Sequence, residues 1–253
     1  MTEDVTQDAF LNGKVMAWQP RKGYRAATDP VLLAASVPAR PGATVLELGC
    51  GVGVASLCLA VRVADLVLTG VEFQPAYAAL ARRNAAENTA RMTVIEADLA
   101  ALPTELRNQT FDHVIANPPY YPNIGPAASD DGRDRALREN TPLPIWIDIA
   151  LRRCRDGGHV SIIHLTERLP DLLAGFAGRA SCIVLPLSAR AQRPARRVIV
   201  QARKGARAPF VLLPPLVIHE GLAHPGDGEH FSETVRGIMR DNGALDMCAM
   251  ARA

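Results

Sequence analysis

The 253 residues carry 28 Lys and Arg against 26 Asp and Glu, a formal charge of +2, and 48% are apolar. The apolar share excludes a disordered chain and supports a sizeable core, while the near-balance of charge excludes a uniformly basic coat for nucleic acid. No apolar run is long enough to span a bilayer, and the polar start Met1-Thr2-Glu3-Asp4-Val5 lacks the apolar stretch of a secretory leader. The five cysteines, Cys50, Cys58, Cys154, Cys182 and Cys248, fall in no metal-binding spacing and read as free thiols of a reducing compartment. A soluble cytoplasmic protein without a metal site is expected.

Residues 1–25 form a polar lead-in with turn or strand character around Lys14 to Trp18. Asp29 as N-cap and Pro30 as first helical residue open a helix that Pro38 to Gly42 ends. Strands and helices then alternate. Strands are expected at Thr44 to Leu48, Val67 to Glu72, Met92 to Ile95, Phe111 to Ala116, His159 to His164, Cys182 to Leu187 and Arg197 to Ala202. Helices are expected at Val54 to Ala64, Pro75 to Asn88, Ile145 to Arg155 and Arg168 to Ala177. The polar, turn-rich stretch Pro122 to Pro144 reads as a lid. A strand at Leu216 to His219 and a helix from about Ser232 to Arg240 close the chain. This order predicts an α/β fold, a mostly parallel seven-stranded sheet with helices on both faces and a C-terminal antiparallel hairpin. One domain over 1–253 is expected, with an N-terminal extension (1–40), a core (41–205) and a C-terminal strand and helix (206–253).

In open sheets of this kind ligands sit at the carboxyl ends of the strands, where the unusual residues gather. Gly49, Gly51 and Gly53 follow strand one and let backbone approach a ligand closely. Glu72 ends strand two, where a carboxylate can accept both hydroxyls of a ribose. Asp98 follows strand three and can accept from an adenine amino group. After strand four comes Asn117-Pro118-Pro119-Tyr120. The prolines have fixed φ and no N–H, so this exit is stiff and rich in acceptors. The Asn117 side-chain oxygen and the Pro118 carbonyl suit a substrate –NH2, and Tyr120 offers a face for a stacked base. Each feature alone has a plain reading as a turn, a capping acid or a proline-terminated strand. A dinucleotide site would call for a third glycine at position 54, which is Val54.

The run Glu47-Leu48-Gly49-Cys50-Gly51-Val52-Gly53 resembles motif I of class I S-adenosylmethionine methyltransferases, with a Rossmann-like fold. Asn117-Pro118-Pro119-Tyr120 resembles the motif of members that modify planar amine nitrogens. The resemblance implies S-adenosylmethionine as cofactor, held by Glu47, Gly49, Gly51, Gly53, Glu72, Asp98 and Asn117, and catalysis at Asn117, Pro118, Pro119 and Tyr120. Gln19 to Arg25, Thr28 to Ala34, the Asn84 and Asn88 pair, Arg138-Glu139, Trp146 and Glu229 to Glu233 further resemble the bacterial adenine-N6 methyltransferases of valine tRNA. That resemblance implies tRNA as partner, with no obligate protein partner, and places Asp29 near the cofactor; a helix cap explains Asp29 equally well. Other acceptors sharing the chemistry are adenine in rRNA or DNA and a protein glutamine amide. A non-catalytic RNA-binding protein with a vestigial cofactor site is the alternative of another class. His113, His159, His164 and His219 lie in or beside strands and read as edge or core-satisfied histidines.

Two intervals hold basic residues and no acids. Asp171 to Glu220 encloses Arg190, Arg193, Arg196 and Arg197, and Asp8 to Asp29 encloses Lys22 and Arg25. These six are the candidates for gripping phosphates. The lid mixes Asp130, Asp131 and Asp134 with Arg133, Arg135 and Arg138, so it is not a simple phosphate-binding lid.

Overall fold

A computed structural model describes residues 4–122, 138, 139, 141–221 and 230–252. The seven expected strands are all present: β3 (Thr44–Leu48), β4 (Val67–Glu72), β5 (Met92–Glu96), β6 (Phe111–Ala116), β9 (Cys154–Leu165), β10 (Ala180–Ser188) and β11 (Arg197–Lys204). Two two-residue strands, β12 (Val211–Leu212) and β13 (Leu216–Val217), pair with β10 and bring the sheet to nine. The order is β12-β10-β11-β9-β6-β3-β4-β5, with β13 also on β10. β11 is antiparallel to both its neighbours, and the pairs from β9 to β5 are parallel. Gly157 and Gly158, which separate the expected helix from the strand at His159, are part of β9, whose register with β6 shifts between Phe111 and His113. That irregularity absorbs the two glycines without ending the strand.

Alternate residues of each central strand face opposite sides, so the sheet separates two apolar clusters. Val45 and Ile115 face α1 (Thr28–Ser36) and α2 (Val54–Arg62). Leu46, Leu48 and Val114 face α5 (Leu143–Arg153) and α6 (Leu169–Phe176). The sequence of α1 is apolar almost all round, and every residue from Asp29 to Ser36 is buried. Its outer side is covered by α7 (Glu233–Asp241), and Leu245 N–H bonds the Ala35 carbonyl. Burying Leu32 and Leu33 completely stabilises this packing by about 2 kcal/mol each. The residue before α1 is Ala27, and no side chain caps the helix. Asp29 is therefore not its cap.

The lead-in is more ordered than its polar sequence implies. β1 (Val5–Phe10) and β2 (Val15–Pro20) form a hairpin, with Leu11, Asn12 and Gly13 at positive φ. The hairpin lies against α3 (Pro75–Glu87), where two amides four residues apart replace a neighbouring strand. Asn84 accepts from Trp18 N–H (2.7 Å) and donates to the Trp18 and Val52 carbonyls (3.0 and 2.9 Å). Asn88, just past the helix, accepts from Met16 N–H (3.0 Å) and donates to its carbonyl (2.7 Å). Helical spacing of the asparagines matches the two-residue repeat of β2, which is why both ends of each peptide are satisfied.

Glu47 sits inside β3 with its Oε2 accepting from Ser56 N–H (3.1 Å) and Ser56 Oγ–H (2.5 Å), which ties α2 to the sheet. Burial raises its pKa from 4.5 to about 7 against the pull of those bonds.

Two outcomes follow from these contacts. Asn84→Ala leaves the Trp18 N–H and two carbonyls unsatisfied, so it should cost about 3 kcal/mol in urea unfolding, and Asn88→Ala less; a cost under about 1 kcal/mol for Asn84→Ala would contradict the ladder. For Glu47, the unfolded chain ionises at lower pH than the folded one, so stability present below pH 4.5 is lost as pH rises to about 7. Relative to Glu47→Gln, the wild type should lose on the order of 3 kcal/mol between about pH 5 and about pH 8, read as diverging melting temperatures. A pH-independent difference would contradict this.

Candidate active site

The carboxyl ends of β3, β4, β5 and β6 open on a cavity of 830 Å³, toward the upper end of the roughly 300–1,000 Å³ usual for small-molecule sites. Its wall includes Gly49, Gly51, Glu72, Asp98, Asn117 and Tyr120, so one concavity gathers most of the residues expected to hold a cofactor or act on a substrate. The exceptions are Glu47 and Gly53, which are absent from the wall. Glu47 is committed to Ser56 as described, and Gly53 packs under the turn against Ala81 and Met92.

The turn after β3 needs its glycines. Gly49 has φ +63°, and a Cβ there would lie 2.6 Å from the Trp146 ring. Gly51 has φ +53° and gives its N–H to Glu72 Oε2 at 2.9 Å. The other Glu72 oxygen accepts from Gln74 N–H at 2.9 Å. Burial raises the Glu72 pKa, and these backbone donors oppose it. The carboxylate is thereby fixed across the turn with acceptor capacity to spare. Asp98 is exposed on the wall and bonds Ala100 N–H (2.8 Å), capping a short 3-10 turn at Leu99–Ala101.

Asn117 leaves β6 between two kinds of contact. Its Nδ2 donates to the Tyr24 hydroxyl at 3.1 Å. Its Oδ1 is buried and has no hydrogen-bond partner. A buried carbonyl oxygen without a partner costs about 1–3 kcal/mol, and at a cavity wall a ligand donor can remove that cost. Pro118 and Pro119 continue the wall. The Tyr120 hydroxyl donates to Asp29 Oδ2 at 2.5 Å, and its ring lies 5.4 Å from that of His164. Arg197 donates to the other oxygen of Asp29.

Three residues of this constellation were not legible as site residues. Tyr24 comes from the N-terminal extension, where it is held by reciprocal bonds with Tyr77 (3.0 and 3.2 Å); burial pushes its hydroxyl to about 12, so it stays protonated. Phe73, next to Glu72, is 60% exposed on the wall, a flat apolar face awaiting cover. Glu96 ends β5 on the same wall.

The histidines need correction. His164 is fully buried and its Nδ1 accepts from Leu165 N–H, but Nε2 has no partner. His113 stacks on His159 at 5.8 Å with its Nδ1 unpartnered. Both are pushed down to about 4 by burial and are neutral near pH 7. They are core residues, yet not fully satisfied ones.

The six candidate phosphate-binding residues separate into two groups. Arg197 is ion-paired with Asp29, and Arg25 bonds Asp8, Thr6 and the Pro20 carbonyl. Arg190 is buried with its guanidinium on the Glu220 and Gly221 carbonyls. These three are internal fasteners, which a lack of local acids in the sequence could not reveal. Arg193, Arg196 and Lys22 are exposed. The β10–β11 turn that carries Arg193 and Arg196 lies at the same end of the sheet as the cavity, because β11 begins where β9 ends (Arg197 opposite Leu165). The lid falls largely outside the described residues, including Asp130, Asp131, Arg133, Asp134 and Arg135, as does Glu229; of Arg138 and Glu139 only the backbone pairing with β7 (Tyr121–Pro122), as the short strand β8 (Arg138–Glu139), is described.

The residues fit S-adenosylmethionine: a glycine turn without Cβ atoms, a fixed carboxylate beside it, and a buried unpartnered oxygen on Asn117, a residue of the wall of a cavity large enough for a nucleoside. Comparison with known proteins agrees. The family model described as "Methyltransferase small domain" matches residues 27–128. A Shewanella halifaxensis protein named tRNA1(Val) (adenine(37)-N6)-methyltransferase is 30% identical over 189 residues, covering 71% of this chain and 75% of its own. A Porphyromonas gingivalis protein of the same name is 32% identical over 157 residues, 58% of this chain and 61% of that one, so the match spans under two thirds of that relative. A solved Agrobacterium tumefaciens structure, titled a predicted O-methyltransferase, superposes with a TM-score of 0.69 at 26% identity, covering 86% of this chain and 98% of that one. With its class I methyltransferase fold and its likeness to the Shewanella halifaxensis protein over 75% of that protein's length, the chain belongs to the family of tRNA1(Val) (adenine(37)-N6)-methyltransferases.

Proposed function

We propose that the protein transfers a methyl group to the exocyclic N6 amine of an adenine in tRNA. The observation that carries this reading is the buried, unpartnered Oδ1 of Asn117, a residue that shares the cavity wall with Gly49, Gly51 and Tyr120. S-adenosylmethionine, when bound, supplies an electrophilic methyl carbon on a positively charged sulfur. Glu72 would accept from its ribose hydroxyls, Asp98 from its adenine amino group, and Gly49 and Gly51 would allow backbone to lie against it. One catalytic unit over 1–253 belongs to this reading, since the N-terminal extension contributes Tyr24 to the wall.

Adenine N6 is a weak nucleophile because its lone pair is delocalised into the ring. Asn117 Oδ1 and the Pro118 carbonyl accept its two hydrogens and hold them out of the ring plane, which returns the lone pair to nitrogen. Tyr120 stacks on the base and fixes its approach. Orientation and preorganised acceptors therefore do the chemical work. No strong base is required, because the nitrogen becomes acidic once methylated and its proton is already bonded to an acceptor.

A protein glutamine amide would suit the same two acceptors. Adenine is favoured by the flat face of Tyr120 and by the exposed arginines Arg193 and Arg196 at the cavity end of the sheet, suited to phosphates. A base in a tRNA loop is already partly unstacked, so bringing it to the cavity costs only a few kcal/mol. This substrate is a cytoplasmic one; no helix among the described residues is long and apolar enough to cross a membrane.

Transfer of label from S-adenosylmethionine should mark total tRNA and not rRNA or protein fractions. Asn117→Ala should lower that transfer by on the order of 100-fold or more with cofactor binding little changed; label in protein alone, or equal loss of transfer and cofactor affinity, would overturn the reading. The double variant Arg193→Ala/Arg196→Ala should weaken tRNA binding and reduce the slope of log affinity against log salt by roughly 1.5. An unchanged slope would place the RNA surface elsewhere.

A further inference from the structure

The acceptor motif is held at both ends by one short segment of the N-terminal extension. At its first residue, the Tyr24 hydroxyl oxygen takes the Asn117 Nδ2 hydrogen at 3.1 Å. At its last, Asp29 Oδ2 takes the Tyr120 hydroxyl hydrogen. Neither contact is a loose surface one. Tyr24 is pinned through its own backbone to Tyr77 on α3. Asp29 is buried in the first turn of α1, with its charge met by Arg197 from β11. Segment 24–29 thus links α3, α1 and β11 to the two side chains that define the acceptor end of the cavity.

The consequence for Asn117 is chemical. Its amide has one acceptor end and one donor end, and only the acceptor end serves a substrate amine. Tyr24 occupies the donor end, which leaves Oδ1 at the wall without a partner. A free amide could turn about its last torsion and present NH2 to the substrate, which would repel the incoming hydrogens. The consequence for Tyr120 is geometric. A tyrosine ring held only by stacking turns about two torsions; its hydroxyl on Asp29 sets the plane against which a base lies.

We propose that Tyr24 and Asp29 are positioning residues of methyl transfer: Tyr24 fixes which end of the Asn117 amide faces the substrate, and Asp29, neutralised by Arg197, fixes the plane of Tyr120. The inference rests on the reading that Asn117 and Tyr120 receive the acceptor amine and its ring. It assigns Arg197 to the site, as the ion-pair partner of the buried Asp29 carboxylate, and not to the nucleic-acid surface.

The test is a pair of double-mutant cycles in single-turnover methyl transfer, with cofactor and tRNA affinities and melting temperatures measured in parallel. Tyr24→Phe and Tyr120→Phe remove one hydroxyl each and preserve the rings, so they should fold. Each should slow transfer about tenfold, with both affinities within about threefold of wild type. In the N117D background the side chain has two acceptor oxygens and no amide hydrogens to hold, so Tyr24→Phe should cost nothing more. In the Y120F background Asp29→Ala should likewise add no loss of rate, even where it lowers the melting temperature. Full rates in both tyrosine variants, or losses that multiply in both doubles, would overturn the proposal. Wild-type label found in another fraction would defeat the tRNA reading alone, and the same cycles would then be run on that acceptor. One readout needs no acceptor at all: the Asn117 side-chain amide proton signals, assigned by their absence in N117D, should move in Y24F. Signals that stay in place would overturn the Tyr24 assignment.

Discussion

The parallel pairing of β3 with β4 on one side and β6 on the other is the constraint from which the site follows. Leu48 is level with Val71 and with Ala116, so the chain leaves all three strands at one height. The glycine turn, Glu72 and Asn117 are the residues that come next. Strand order reverses at β3, which opens a crevice at the carboxyl ends of β3 and β6. A one-residue slip of β6 would turn Asn117 to the other face and bury the apolar set wrongly, so the two clusters on the faces of the sheet also hold the site in register.

The extension before the sheet completes the enclosure. Its hairpin would be a marginal structure alone, since two strands bury little. Asn84 and Asn88 make it part of the fold by satisfying β2 as a strand would. That docking delivers Tyr24 and Asp29 to the rim of the cavity. The buried groups there are costly unless paired, and the pairing is complete at Asp29, which has Tyr120 and Arg197, and incomplete at Asn117 Oδ1. The acceptor left unmet on Asn117 belongs to the residue that, in this reading, meets the substrate amine.

Much of this was readable from the chain. Alternating apolar runs separated by helical patterns marked all seven principal strands, and the glycine turn, Glu72 and Asn117 were placed by their position after strands. What escaped was whatever depended on partners distant in sequence. Glu47 has the pattern of a cofactor acid but is spent on Ser56, nine residues on and one layer away. Arg190 and Arg197 have the pattern of a basic patch, yet each meets an acceptor that lies far along the chain, the Glu220 carbonyl and Asp29. Asp29 before a proline has the pattern of a cap, but α1 begins at Thr28 and frees the carboxylate for Tyr120. β12 is too short to leave a periodic signal, whereas β13 falls within the strand expected at Leu216 to His219.

The most direct test of the central claim is a structure of the protein with an unreactive analogue of S-adenosylmethionine and a tRNA anticodon stem-loop. In that complex an adenine should lie out of its stack against Tyr120, its exocyclic nitrogen about 3 Å from both Asn117 Oδ1 and the Pro118 carbonyl. An adenine amine bonded elsewhere, or Asn117 Oδ1 turned toward the cofactor with no base at Tyr120, would contradict it.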